Sequence, residues 1–124
     1  MSALVYEPRA GVGLAELEHE LTRAFISIRA ALTKGDAVVV CLDERDVEGV
    51  GDPTQAALAH GLLGLARAFA IEGRKAGWRI AVLSSTPDVE AADRSTWIEH
   101  LSDPAGALGT LIRLGGDHLG RVPT

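Results

Sequence analysis

The order of apolar and polar positions along the chain predicts strands that alternate with helices. A short apolar run at residues 3–7 predicts a first strand. From Leu14 to about residue 34, apolar side chains recur every third or fourth position, which predicts an amphipathic helix. Residues 37–42 form a β-branched run without polar alternation. Such a run is typical of a parallel strand that is covered on both faces.

The middle of the chain predicts a longer helix and a third strand. The helix begins at Pro53 or Thr54, since proline is favoured in a first turn, and it ends before Gly77. Apolar residues cover most of its circumference, so we expect it to be buried on two sides. Residues 78–84 predict the third strand, and residues 85–95 predict a polar loop or a short helical excursion.

The last part of the chain predicts one more helix. Ser102 begins an N-cap signature for a helix from Ala105 to about Leu114, and two glycines mark the end of this helix. Residues 119–124 are predicted to form a tail or a short last strand. The alternation predicts an α/β fold, with a three-to-four-stranded parallel sheet and right-handed crossover helices. With 124 residues, we expect a single domain over 1–124.

Composition narrows the class of protein. The net charge is −5 and the twelve basic residues are scattered, which argues against nucleic acid or an anionic membrane as a partner. No apolar run reaches the roughly 18 residues that would span a bilayer. The single cysteine, Cys41, lies in an apolar run and suits a reducing cytoplasm. We therefore expect a soluble cytoplasmic protein.

Three sequence patterns give only weak evidence for a metal site or a nucleotide site. The four histidines share no ligand spacing, so we predict no metal site. The acidic segment 43–52 lacks the pattern of a calcium loop and predicts a solvated loop. Gly11 and Gly13 could open a dinucleotide-binding turn, but Glu16 occupies the third glycine position and would face the pyrophosphate. We therefore favour a plain turn and no cofactor.

One block of sequence is specific enough to suggest a family. Residues 64–72, Gly-Leu-Ala-Arg-Ala-Phe-Ala-Ile-Glu, are followed at 77–84 by Gly-Trp-Arg-Ile-Ala-Val-Leu-Ser. This block resembles the helix that follows the active site, and the next strand, of short-chain dehydrogenases/reductases. Residues 14–122 are similar to the C-terminal half of such an enzyme. The resemblance implies a truncated Rossmann-like fold, in which the first strand matches the family's fourth strand and leaves its outer edge open.

The same resemblance places the family's catalytic residues on side chains that cannot replace them. Alignment on Gly64 puts the catalytic tyrosine and lysine at Gln55 and Ala59, and the catalytic serine falls near Leu42 or Asp43. A glutamine amide does not titrate usefully, and alanine carries no charge. The glycine-rich cofactor turn of the family is also missing. We predict no catalytic and no cofactor-binding residues, so the chain is not expected to be an enzyme by itself.

The resemblance also implies a subunit interface. In the family, the helices equivalent to residues 14–33 and 54–76 pair with their copies in a four-helix bundle. We therefore expect a homo-oligomer, or pairing with a full-length short-chain dehydrogenase. The expected interface residues are Leu21, Phe25, Ile28, Leu58, Leu62, Leu65 and Phe69.

Three functions remain open from the sequence. The first is a catalytically silent subunit that oligomerises or binds a partner. The second is a non-catalytic subunit of a heteromeric NAD(P)-dependent oxidoreductase. The third is a small-molecule binding protein that uses the crevice at the carboxyl ends of the strands. The residues predicted to line that crevice are Asp43, Gln55, Ser84 and Ser85.

Overall fold

The protein has an α/β fold in which parallel strands alternate with helices. The computed structural model describes residues 3–103 and 111–115. The strands are β1 (Ala3–Tyr6), β2 (Ala37–Asp43), β3 (Ile80–Ser85) and β4 (Leu111–Leu114). The helices are α1 (Leu17–Lys34), which a 3-10 turn (Leu14–Glu16) precedes, α2 (Glu44–Glu48), α3 (Pro53–Glu72) and α4 (Ala91–Ser102).

The four strands form one parallel sheet in the order β1-β2-β3-β4. Ala3 pairs with Ala37 at the start of the first ladder, and Val38 pairs with Ile80 in the second. The predicted α/β fold with a three-to-four-stranded parallel sheet is therefore confirmed. Within the described sheet β1 pairs only with β2, so its other edge is open.

Local sequence explains where the two long helices begin and end. The N–H of Gly35 donates to the carbonyls of Ala31 and Leu32, with φ at 96°, a conformation that favours glycine. The side chain of Asp52 caps the start of α3 by accepting a bond from the N–H of Thr54. The helix ends at Glu72, and its C-cap is Gly73, whose N–H donates to the carbonyls of Phe69 and Ile71. Trp78 packs so closely on Gly73 that a Cβ there would lie 2.5 Å from the indole, so only glycine fits at this position.

The sheet carries a core on each face. On the first face α1 and α3 pack side by side over alternate residues of the strands, such as Val38, Val40 and Val82. On the second face α4 places Ile98 and Leu101 against Val39 and its neighbours. Both faces of β2 are therefore covered, as its continuous apolar run predicts.

Several predicted elements are wrong. Segment 43–52, predicted to be a loop, contains α2. Segment 85–95 does contain the predicted helical residues, but they begin the 12-residue helix α4 and not a short excursion. Ser102 is the last residue of α4 and donates its hydroxyl to the Ile98 carbonyl at 2.7 Å, so it does not cap a later helix. Residues 111–114 form a strand, although a helix was predicted through them. The remainder of that predicted helix, 105–110, and the tail at 119–124 lie outside the described residues.

The helices lie on opposite faces of the sheet, and this fixes the hand of their connections. The strands are parallel and their spatial order follows the chain, so connections on one face share one hand. Helices α1 and α3 lie on one face and α4 lies on the other. The connection through α4 therefore has the opposite hand to the first two, and the prediction that all crossovers are right-handed is wrong.

Among the helices of the described part of the chain, none is long and apolar enough to cross a membrane.

Candidate functional site

A polar crevice of about 480 Å³ lies at the carboxyl ends of the first three strands. Asp43, Gln55 and Ser85 line it, as the sequence predicts, together with Arg45 and Arg94. This is the position at which open parallel sheets bind ligands. Most of its polar side chains, however, already have partners within the chain.

Asp43 is engaged in capping the short helix α2. Its carboxylate accepts a 2.9 Å hydrogen bond from the N–H of Arg45 and forms an ion pair with the guanidinium of the same residue at 2.9 Å. The hydrogen bonds from Arg45 hold the pKa of Asp43 below its ordinary value. The carboxylate is therefore ionised and paired.

Gln55 clamps the loop that follows β1. Its Oε1 accepts a 2.7 Å hydrogen bond from the N–H of Val12, and its Nε2 donates to the carbonyl of Arg9 at 3.3 Å. The Gln55 amide thus satisfies two backbone groups. The same contact removes the Val12 N–H from the turn between Gly11 and Gly13, where a phosphate would need it.

Ala59 is a core residue. It is only 3% exposed and packs in the cluster that α1 and α3 form on the sheet. A lysine there would carry a charge into an apolar core.

Ser84 lies away from the crevice, which corrects its predicted place in it. Its hydroxyl donates a 2.6 Å hydrogen bond to Glu44, and both side chains are buried. Arg113, on β4, donates from Nε to both carboxylate oxygens of Glu44, at 3.0 and 2.7 Å. Burial alone would raise the pKa of Glu44, but the bonds from Arg113 and Ser84 outweigh it and lower the pKa.

This buried network was missed by sequence reasoning. Glu44 belongs to an acidic segment that reads as solvated, and its partner Arg113 lies 69 residues later in the chain. The face of the sheet on which Ser84 lies could have been predicted. Side chains along a strand alternate between the two faces, so Ser84 lies on the same face as Ile80 and Val82.

The floor of the crevice contains Cys41, which is 4% exposed. Burial raises the pKa of its thiol, although the guanidinium of Arg94 lies close by. Arg94 itself pairs with Glu7 across the crevice. In the described part of the chain, no group of three or more His, Cys, Asp or Glu side chains could hold a metal ion.

An apolar groove of about 750 Å³ lies between α1 and α3. We call it the α1–α3 groove. Its lining residues are Leu14, Leu17, Glu18, Leu21, Thr22, Phe25, Gly61, Gly64, Leu65 and Ala68.

The structure divides the seven predicted interface residues into two groups. Leu21, Phe25 and Leu65 line the groove, and Phe25 keeps 43% of its surface exposed while its ring stacks on Phe69 at 5.3 Å. The other four are buried in the chain's own core and present no surface to a partner, which corrects their predicted role. They are Ile28, Leu58, Leu62 and Phe69.

The outward side of α3 carries small and apolar side chains that were not predicted as interface residues. They recur at alternating spacings of four and three positions, the pattern of a helix that packs against another helix. None of them is charged. They are Ala57, Gly61, Gly64, Ala68 and Ile71.

No protein-family model matches the chain, and the comparison with curated proteins finds no match.

Proposed function

We propose that this chain is a non-catalytic subunit that assembles with a second copy of itself through the α1–α3 groove. The groove is apolar and floored by glycine, and Leu14 and Phe25 stand exposed at its margins. An open apolar groove with exposed apolar side chains beside it is typical of an interaction site. The resemblance to a short-chain dehydrogenase points to the same two helices, with a full-length enzyme as the alternative partner.

The observation that carries the proposal is the glycine at position 64. It lies in the interior of the 20-residue helix α3, where glycine costs roughly 0.5–1 kcal/mol relative to alanine. Gly61 has an internal reason to lack a side chain, because a Cβ there would lie 2.7 Å from Leu21. A Cβ on Gly64 would meet no such neighbour within 4 Å in the described chain. Close approach of a partner explains a glycine that the isolated chain does not need.

The non-catalytic part of the proposal is supported by Gln55 and Ala59. One side chain holds the loop after β1 through two backbone hydrogen bonds, and the other fills the core. Neither can donate or accept a proton in a reaction. The crevice next to them is lined by Asp43 and Arg94, which are each engaged in an ion pair. These internal pairings favour an assembly role over small-molecule binding.

Sedimentation velocity of the purified chain, with Gly64→Leu as the variant, tests the proposal. We expect the wild type to sediment as a dimer at micromolar concentration and Gly64→Leu as a folded monomer. Leucine is the better helix former, so a weakened helix would not explain the loss. Ser95→Leu, which adds the same side chain to an exposed position of α4, is the matched control and should remain dimeric.

A folded wild-type monomer would refute the proposal. A Gly64→Leu protein that remains dimeric would place the interface elsewhere on the molecule. An absence of NAD(P)H binding, measured by fluorescence titration, is expected for both proteins.

A further inference from the structure

From the exposed residues of α1, we infer that the second copy docks antiparallel, with Glu18 of each copy paired to Arg29 of the other. This inference rests on the proposed function, since it specifies the partner and its orientation at the same groove. The two-fold axis would run between the two copies, across the direction of the helices. It would pass α1 midway between Thr22 and Phe25, and it would pass α3 midway between Gly61 and Gly64.

The outward side of α1 has the spacing that such pairing requires. Glu18, Thr22, Phe25 and Arg29 are all exposed and follow one another at intervals of four, three and four residues. That alternation is the seam along which one helix packs on another. Neither Glu18 nor Arg29 has an ion-pair partner in the described part of the chain, so both charges are available to a second molecule.

The order of the charges selects the direction of pairing. In an antiparallel arrangement about the midpoint of this seam, Thr22 meets Phe25 of the second copy and Glu18 meets Arg29. The contact occurs twice because a two-fold interface is self-complementary. Pairing the two α1 helices in parallel would instead oppose glutamate to glutamate and arginine to arginine, which is unfavourable.

The same axis suits α3. Leu21 lies beside Gly61. The midpoint of the α1 seam and the pair Gly61 and Gly64 are therefore at about the same position along the length of the groove. Rotation about the axis brings Gly61 of one copy to Gly64 of the other, and Ala57 to Ala68. These four positions have little or no side chain, which permits close contact between the helices.

This arrangement also accounts for the exposed ring of Phe25. When Phe25 lies at the height of Thr22 in the second copy, it faces the part of the groove that Gly61 and Gly64 floor. The exposed part of the Phe25 ring, which stacks on Phe69 of its own chain, then packs against an apolar recess of the partner, as an interface anchor does. Glu18 and Arg29 lie toward the ends of the contact and determine its orientation.

Charge reversal tests the register. Glu18→Arg and Arg29→Glu should each raise the dimer dissociation constant about tenfold, because each replaces two attractive contacts by two repulsive ones. Mixing the two variants should restore dimerisation, since one copy then carries only arginine and the other only glutamate at these positions. The double variant Glu18→Arg/Arg29→Glu should also dimerise. Glu99→Arg, the same reversal at an exposed position of α4, is the matched control and should have no effect.

The outcomes separate this inference from the proposed function. If wild type and Glu99→Arg dimerise and Glu18→Arg does so equally well, the interface stands and the antiparallel charge pairing is wrong. The pairing is also wrong if both single variants are weakened but their mixture is not restored. A monomeric wild type removes both proposals.

Discussion

Ser84, on β3, donates a 2.6 Å hydrogen bond to Glu44, which begins the helix after β2. The same carboxylate accepts from Arg113 on β4, so one buried group joins two strands and a helix. Arg113 also lies 3.5 Å from the carboxylate of Glu48. The network fastens the edge strand β4 to the rest of the sheet.

Replacing the carboxylate should destabilise the fold. Glu44→Gln keeps the shape but removes the charge that Arg113 faces, and we expect a loss of about 2 kcal/mol in the free energy of unfolding. Ser84→Ala should cost about 1 kcal/mol, because it removes one hydrogen bond. Urea unfolding at neutral pH measures both. Glu48→Gln serves as the control, and a loss equal to that of Glu44→Gln would contradict the central role of Glu44.

The network should also make stability depend on pH. The pKa of Glu44 is lower in the folded protein than its ordinary value of 4.5, so the folded state favours the ionised form. Its contribution is therefore fully present above pH 4.5 and is lost as the pH falls through the folded pKa. Unfolding free energies measured down this range should fall more steeply for wild type than for Glu44→Gln. Parallel curves would show that Glu44 is not the group that titrates.

Restoring the catalytic pair of the resembling family should damage the protein without creating an enzyme. Gln55→Tyr removes the clamp on the loop after β1, and Ala59→Lys places a charge in a filled core. We expect the double variant to lose at least about 3 kcal/mol of stability and to show no NAD(P)H oxidation. Thermal unfolding and an absorbance assay measure the two effects. A stable double variant that oxidises NAD(P)H would overturn the assignment of Gln55 and Ala59 as structural residues.

Cys41 should react slowly in the folded protein. Burial keeps its thiol protonated, and the thiolate is the reactive form. Labelling by a thiol reagent at neutral pH should therefore be much slower in the native protein than in urea. Rapid native labelling would mean that the crevice opens down to β2.

The elements that the sequence predicts well are those with a long, regular pattern. Helix α1 shows a helical period along its length, and strand β2 is one continuous apolar run that is buried on both faces. Burial in α1 departs from that period at Glu20, which is buried, and at Phe25, which is exposed. The extent of helix α4 was missed, although a short helical excursion in 85–95 was one alternative. Its apolar contacts with the sheet include Ile98 and Leu101, and two such residues do not establish a helical period. Strand β4 has four residues, and an apolar run so short fits a helix or a strand equally well.

For the candidate site, the position of a residue could be predicted but its contacts could not. The position of Gln55 at the crevice was predictable from the order of the elements. Its use as a clamp was not, because the groups it bonds lie more than 40 residues earlier in the chain, at Arg9 and Val12. Of the four predicted interface residues that are buried, Ile28 shares α1 with Leu21 and Phe25, and the other three share α3 with Leu65. All four lie on the core side of their helix and not on the groove side. When a helix is apolar on two sides, tertiary packing determines which side faces the sheet.

The strand order has a consequence for synthesis on the ribosome. Each strand of the described sheet pairs with the strand made just before it. No strand of the described sheet has to be inserted between two strands that are already paired, and once β1 and β2 have paired, each later strand adds to an edge that already exists. The sheet can therefore extend in one direction as the chain emerges, N-terminal part first. A pause in translation after α3 would leave β1, β2 and both long helices free to pack before β3 arrives.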